Sequence, residues 1–544
     1  MCSEASFLNS GFGIYNRELL SRLHNTNKYE IAEFASYGFV NDPRDKDIHW
    51  TYYANAVKHN DPRHKEYSSR PENQFGRWRF EKVLLDFRPD VVIDVRDYWM
   101  NSYQGVSPLR EYFHWVLMPT VDSEPQQEDW IDTFLSADAI FTYSDWAAEV
   151  LKNQSSGKIN YINTASPGVN LDKFNIKNRD DIRQKLNIPI DAFVVGSVMR
   201  NQKRKLIPEL LLSFRSFVDE LGKKSPEEAS KVFLYLHTSY PDMGWDIPEI
   251  LKDARIANKV LFSYICKNCK NVSCSTFNGL HTVCPKCMKK GRVLPSVTDG
   301  YTTENLADIY NVFDLYVQYS ICEGFGMPQI EASACGTPVA TVDYSAMCDL
   351  VKKIEAFPIK IQTKFKELET KAIRVYPDNN SLKEIILDFY NLPAPIRNKK
   401  RIKTRELTEK LYNWDDVSKK WEDYLDKLDA DGYRSNWNKA PETMNSVQRS
   451  DIHPSQNFET IFGICQNLLK DPDLIGTKRV LDLLKNADYG YVQASPTQIL
   501  PYKISNMYDY FQTSVNNYNQ AEHIRASNTE IEEDFIIYSK IKNQ

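Results

Sequence analysis

Two runs of alternating strand and helix signals, joined by one polar linker, constrain the architecture of this chain more than any other feature. In the first run, NSGFGIYNRELLSRL reads as a glycine turn that opens an amphipathic helix. RPDVVIDVRD (Arg88–Asp97), HWVLMPTVD (His114–Asp122) and DAIFTYS (Asp138–Ser144) read as buried parallel strands, because short continuous apolar runs between polar residues are the pattern of strands covered on both faces. The polar stretch Asn170–Asp191 predicts a linker with a short helix. In the second run, AFVVGSVMR, KVFLYLHTS, KVLFSY, DLYVQYS and TPVATVDYS read as strands, interleaved with helices at LIPELLLSFRSFVDEL, ENLADIYNVF and MPQIEASACG. This alternation predicts two doubly wound α/β domains facing a cleft, over residues 1–169 and 170–411. YNWDDVSKKWEDYLDKL predicts an amphipathic helix over 412–428. Residues 429–544 are expected to form a polar, partly helical extension, with islands such as FETIFGICQNLLKD.

The length, 544 residues, exceeds what one hydrophobic core organises. A net charge of -5 gives no global attraction to nucleic acid or anionic membrane. No apolar run approaches the ~18 residues of a membrane span, and MCSEASFLNSGFG has neither a basic nor an apolar signal-peptide region. Of the ten cysteines, four form two C-x-x-C pairs and the rest are scattered, which favours a metal site in a reducing, cytoplasmic compartment over a disulfide framework.

The chemistry concentrates in YSICEGFGMPQIEASACGTPV, Tyr319 to Val339. A strand ends just before Glu323, and Pro328 suits the first turn of a helix, where its missing N–H costs little. Strand, glycine turn and helix start together make an anion site from free backbone N–H groups and the helix dipole. Gly324 and Gly326 allow a phosphate close to the backbone. Gln329 stands where the third glycine of a dinucleotide fingerprint belongs, and no G-K-[ST] follows, so neither the Rossmann fingerprint nor the Walker loop is present. Glu323 and Glu331 beside a phosphate make sense if they accept from neutral diols. A nucleotide-sugar offers one diol in its ribose and another in its transferable sugar, with a diphosphate between. In GSVMRNQKRK, Arg200 and Lys205 lie just past a strand end, where two cations can flank a diphosphate leaving group.

EGFGMPQIEASACGTPV resembles the E-x7-E signature of retaining glycosyltransferases of family 4, which have the two-domain GT-B fold. GSVMRNQKRK resembles that family's Gly-…-Arg-x4-Lys element, SGFGIYNREL its glycine loop, and SPGVNLDKF (Ser166–Phe174) its Pro-x-Gly-Val-Asp-x-x-x-Phe segment. The helix and strand of ENLADIYNVFDLYV precede the signature as they do in the family, and the likeness covers roughly residues 4 to 428. The resemblance implies a catalytic role for Glu323, Arg200 and Lys205. It implies donor binding by Gly11, Gly13, Gly324, Phe325, Gly326, Met327 and Glu331. It further implies a UDP-, GDP- or ADP-sugar donor, hexosyl or pentosyl transfer with retention, and no catalytic divalent metal. Two departures stand out. Only MCSEASF precedes the glycine loop, so either the first strand is very short or the start codon is displaced. In place of a cleft histidine, the strand ends deliver Asp97 and Asp122, either of which is a candidate for contacting the acceptor.

CKNCKNVSCSTFNGLHTVCPKC holds Cys266-x2-Cys269 and Cys284-x2-Cys287 with fourteen residues between the pairs, the spacing of a structural zinc knuckle. Cys274 and His281 are spare candidate ligands. The insertion, 265–292, is not part of the family pattern and is expected to hang from a loop between complete elements. Its lysines make nucleic acid a possible acceptor. The leading expectation is therefore a glycosyltransferase with an unidentified glycan, protein, lipid or small-molecule acceptor. The alternatives are a transferase acting on a DNA base and a non-catalytic nucleotide-sugar or nucleic-acid binding protein.

Overall fold

The structure, a computed structural model, describes residues 1–296, 300–439, 490–495 and 498–502. The helical island expected at 458–471 lies outside the described residues. The chain divides into two compact units. One comprises Met1–Pro119, Asp132–Ile140 and the described residues from Glu422 onward; the other comprises Thr120–Ile131 and the described residues of Phe141–Trp421. Residues 120–131 and 141–169, which lie within the expected first domain, 1–169, thus group with the second unit.

The first sheet is built from β1 (Cys2–Glu4), β2 (Ala32–Ser36), β3 (Thr51–Ala54), β4 (Val91–Asp94), β5 (His114–Leu117), β6 (Ala139–Thr142) and β7 (Tyr161–Thr164), in the order β3-β2-β1-β4-β5-β6-β7. β1 has only three residues, yet it pairs in parallel with β2 (Cys2 with Phe34) and with β4 (Cys2 with Asp94), at the centre of the sheet. β2, β3 and β7 were not legible as strands in the sequence. Ser10 caps the following helix, Gly11–Asn25, by accepting from the Gly13 N–H at 3.1 Å.

The second sheet contains β8 (Phe193–Val198), β9 (Val232–His237), β10 (Val260–Cys266), β11 (Val272–Thr276), β12 (Thr282–Val283), β13 (Lys290–Val293), β14 (Leu315–Gln318), β15 (Val339–Val342) and β16 (Phe357–Ile359). The order is β12-β13-β10-β9-β8-β14-β15-β16, with β11 on β10. The run from β10 to β16 is parallel and doubly wound. The helix Ile207–Lys224 buries Ile207, Leu210, Leu211, Phe214, Phe217 and Leu221, each three or four residues from another along one face, against this sheet.

The cysteine-rich segment does not hang from a loop. Cys266 is the last residue of β10, and β11 pairs antiparallel with β10 from Leu261–Thr276 to Ile265–Val272. The insertion thus extends the sheet and satisfies backbone groups that β10 would otherwise leave open at an edge. Further on, the helix Trp414–Leu425 buries Trp414, Val417 and Trp421, and Trp421 stacks on Phe141 at 3.9 Å between ring centroids. The helix Asp431–Lys439 and the paired strands Gly490–Ser495 and Gln498–Tyr502 follow. Among the described residues no helix is long and apolar enough to cross a membrane.

Candidate functional site

In the second unit the strand order reverses between β8 and β14, which are neighbours, and open α/β sheets bind ligands beyond the carboxyl ends of such a pair. The loops leaving these two strands carry the charged residues. After β8, the chain makes a 3-10 turn at Lys203–Lys205 and passes through Leu206, whose φ of 37° is left-handed, into the long helix. This turn aims Lys205 inward. After β14, Cys322 and Glu323 lead into the glycine turn and the helix Met327–Ala334. Gly326 sits at φ 90°, where a side chain is strained, and Pro328 lies in the first turn. An added Cβ at Gly324 would meet Thr120 Cγ2 at 2.3 Å, so this turn has no room for a larger residue.

Glu323 is buried at 4% exposure and is held from four directions. Arg204 donates to Oε2 at 2.9 Å, Lys205 ion-pairs with Oε1, and Gln318 donates to Oε1 at 2.8 Å. The backbone N–H and C=O of Glu323 both bond the Ser345 hydroxyl, at 3.0 and 3.1 Å. The Tyr316 hydroxyl lies 2.6 Å from Gln318 Oε1 and so orients that amide. Burial alone would raise the Glu323 carboxyl, but Arg204 and Lys205 outweigh it and hold the group at about 2. Burial, reinforced by the neighbouring Arg204 charge, pulls Lys205 down to about 8. At neutral pH two cations therefore face one carboxylate, leaving a positive excess where Lys205 and Glu323 are buried and Arg204 reaches solvent.

Arg200 lies apart from this cluster. Its side chain is half exposed and makes a two-point contact with Asp242, at 2.9 and 3.0 Å. The Arg200 hydrogen bonds hold Asp242 at about 2. The cause is local. The next residue, Asn201, is buried and bonds both the backbone C=O and the N–H of Trp245 at 2.8 Å, which turns Arg200 toward the Asp242 loop. Arg204, the partner of Glu323, was missed in the sequence; the only signal was its place in the dense basic run RNQKRK. Gln318, Ser345 and Tyr310 gave no sequence signal at all.

Glu331 is buried in the helix, and its Oε2 accepts from the Tyr310 hydroxyl at 2.7 Å, its single side-chain partner among the described residues. Burial pushes its carboxyl up to about 7. Phe325 is buried with its ring edge-on to Tyr412 at 5.7 Å, and Met327 begins the helix. Asp122 is joined to the same loop: it accepts from Arg374 at 2.8 Å and from the Cys322 thiol at 3.3 Å, one residue before Glu323. In the first unit, Gly11 and Gly13 open the helix that follows β1. Asp97 stands at the start of the helix Tyr98–Gly105, beyond β4, without capping it. β1 and β4 are the neighbours at which the first sheet reverses, so both features occupy its ligand-binding position. The thiols of Cys266, Cys269, Cys284 and Cys287 all lie within 4.8 Å of one another; Cys274 and His281 are not in the group.

Residues 297–387, which contain Glu323 and Glu331, match the family described as glycosyl transferases group 1. Over 216 residues the chain is 26% identical to D-inositol 3-phosphate glycosyltransferase 2 of Catenulispora acidiphila, covering 40% of this chain and 42% of that protein. The chain thus spans about two fifths of the length of the curated relatives it matches. Among solved structures, sucrose-phosphate synthase from Thermosynechococcus elongatus superposes with a TM-score of 0.54 at 18% identity, over 77% of this chain and 94% of that one. WaaG, a glycosyltransferase involved in lipopolysaccharide biosynthesis, gives 0.51 at 11% identity, over 77% and 97%. With these neighbours and the matched segment around Glu323, the chain has the GT-B glycosyltransferase fold and carries a glycosyl transferases group 1 segment.

Proposed function

We propose that this chain is a nucleotide-sugar-dependent, retaining glycosyltransferase. The observation that carries the reading is the trio of partly exposed Arg204 with buried Lys205 and Glu323 at the strand-order reversal, with its positive excess beside a glycine turn and helix start. A diphosphate completes this arrangement. It brings negative charge to a place where two cations meet one carboxylate, and the positive end of the dipole of the helix Met327–Ala334 lies at the glycine turn beside them, although Pro328 has no N–H and the Gln329 N–H is taken by Gly326 C=O at 3.1 Å. Arg200 is five residues away in sequence and is available to the outer phosphate by exchange from the exposed Asp242 contact. Glu331 keeps one carboxylate oxygen beyond Tyr310, suited to accepting from a ribose hydroxyl.

In the transfer itself, the bond from the anomeric carbon to the diphosphate oxygen breaks, and a bond from the acceptor oxygen to that carbon forms on the same face. The acceptor proton leaves with the departing phosphate. Arg204 and Lys205 stabilise the negative charge that develops on the leaving group. Because side chains and backbone supply this charge, no divalent metal is needed for the step. The Asp97 carboxylate in the first unit is the acceptor-side candidate; Asp122 is engaged by Arg374.

Incubating the purified chain with UDP-, GDP- and ADP-sugars and measuring released nucleoside diphosphate tests the reading. One donor should stabilise the protein to heat and be turned over slowly by water. Binding of a donor with no turnover, with or without acceptor candidates, would make the chain a binding protein; no binding of any donor would remove the proposal altogether.

A further inference from the structure

The two C-x-x-C turns have the same backbone. In the first, the Lys270 N–H donates to Cys266 C=O at 2.8 Å and the Cys266 N–H to Asn271 C=O at 3.0 Å. In the second, the Met288 N–H donates to Cys284 C=O and the Cys284 N–H to Lys289 C=O, both at 2.9 Å. The residue after each second cysteine is left-handed, Lys270 at φ 55° and Met288 at φ 58°. Neither is a glycine, so each turn holds a conformation that L-residues visit at a cost, at the same position twice. The two turns face each other. Cys266 Sγ lies 3.7 Å from Cys287 Sγ, and Cys269 Sγ lies 3.7 Å from Cys284 Sγ, with all four atoms within 4.8 Å. A disulfide needs sulfurs about 2.05 Å apart. A tetrahedron of sulfurs about 2.3 Å from a central zinc has edges of about 3.8 Å.

We propose that Cys266, Cys269, Cys284 and Cys287 hold one zinc ion as four thiolates. Each thiol gives its proton to solvent as its sulfur binds, and the four thiolates close the coordination sphere, so the centre is structural and offers no position for substrate or water. The tetrathiolate complex carries two net negative charges, and the exposed Lys267, Lys270, Lys286, Lys289 and Lys290 on the same turns supply compensating charge. This assigns the basic character of the insertion to its own metal. The role follows from the pairing. Cys266 ends β10, β11 runs along β10, and β13 pairs with it at Ile265–Val293 and Cys266–Arg292. Arg292 then lies over the Tyr264 ring at 3.9 Å and donates to Ser273 and Ser275 on β11, at 3.0 and 2.8 Å. The ion thus pins the register of three strands at the border of the sheet that bears Glu323. The proposal stands independently of the transferase reading.

The test is metal analysis of the full chain purified under reducing conditions without chelator. The expected content is one zinc per chain. Cobalt(II) replacing it should give the visible absorption of tetrahedral cobalt together with thiolate charge-transfer bands. Cys266→Ser/Cys269→Ser should lose the metal, while Cys274→Ser should keep a full equivalent. A zinc chelator should lower the melting temperature of the parent protein and leave that of the double variant unmoved. If the double variant does not fold, cobalt titration of the parent protein after chelation still decides the matter. Absence of zinc and of cobalt binding with all four thiols reduced, or retention of zinc by a folded double variant, would overturn the assignment.

Discussion

Arg204 donates to the Glu323 carboxylate at 2.9 Å although 119 residues separate them in the chain. The contact joins the loop after β8 to the loop after β14, and Lys205 joins the same carboxylate from deeper in the unit. A positioned glutamate and two cations at one point of the sheet make the strength of this trio measurable in several independent ways.

Glu323→Gln removes the negative member and leaves Lys205 buried with an unpaired charge. Transfer should fall roughly 30- to 1,000-fold, corresponding to about 2–4 kcal/mol of transition-state stabilisation. The melting temperature should fall as well, because breaking a buried pair on one side costs more than removing both partners. Glu323→Gln/Lys205→Met should recover most of that stability without recovering transfer. Wild-type turnover by the single variant would exclude Glu323 from the chemistry.

Lys205 sets a pH limit. Its ammonium is held down to about 8 by burial and by Arg204, so it loses its charge as pH rises through that value, while Glu323, held at about 2, stays ionised throughout. Affinity for nucleoside diphosphate and kcat/KM should both decline above about pH 8. Lys205→Arg, which keeps its charge, should flatten the alkaline limb wherever it still binds. A profile level to pH 9.5 in the parent protein would contradict this role.

Glu331 makes a prediction about stability with the opposite partner logic. Its folded carboxyl is raised by burial from 4.5 to about 7, so the folded state binds more protons than the unfolded state between those values. Its contribution is fully present below about pH 4.5 and is lost as pH rises through about 7, a change of about 3 kcal/mol. Denaturation of Glu331→Gln across this range should lack that component. If the parent and the variant share one pH–stability curve, Glu331 is ionised at all these pH values, and the Tyr310 contact is stronger than its geometry implies.

Gly326→Ala places a Cβ at φ 90°, 2.3 Å from Gln329 Nε2. The strain should cost about 1–3 kcal/mol and shift the helix start, so nucleoside diphosphate affinity should fall together with stability. Calorimetry with the diphosphate and a melting curve check both quantities; unchanged affinity would separate the turn from the phosphate.

Magnesium should be dispensable for transfer. Chelation followed by immediate assay is expected to leave the initial rate unchanged, because the proposed mechanism gives the diphosphate charge to Arg204, Lys205 and the helix start. Rapid loss of activity that magnesium restores would place a metal on the donor. Slow loss that only zinc restores would instead report on the four-cysteine centre.

Properties that depend on neighbours along the chain were legible in the sequence. The alternation of apolar strands and amphipathic helices specified two doubly wound layers, because burial on both faces of a parallel strand demands a continuous apolar run. E-x7-E placed Glu323 and Glu331 on one turn and helix, and C-x-x-C placed paired thiols on tight turns. Properties that depend on distant partners were decided only by the tertiary structure. Spacing pointed to Arg200 and Lys205 in RNQKRK, but Asn201 anchors to Trp245 and sends Arg200 to Asp242, while the 3-10 turn and left-handed Leu206 bring Arg204 to Glu323. Tyr310 meets Glu331, and Arg374 engages Asp122, through contacts that no local pattern encodes. The cysteine insertion read as a loop appendage because its own segment is polar. It became part of the sheet because β10 had an edge whose backbone donors and acceptors needed partners, and the nearest available strand was β11.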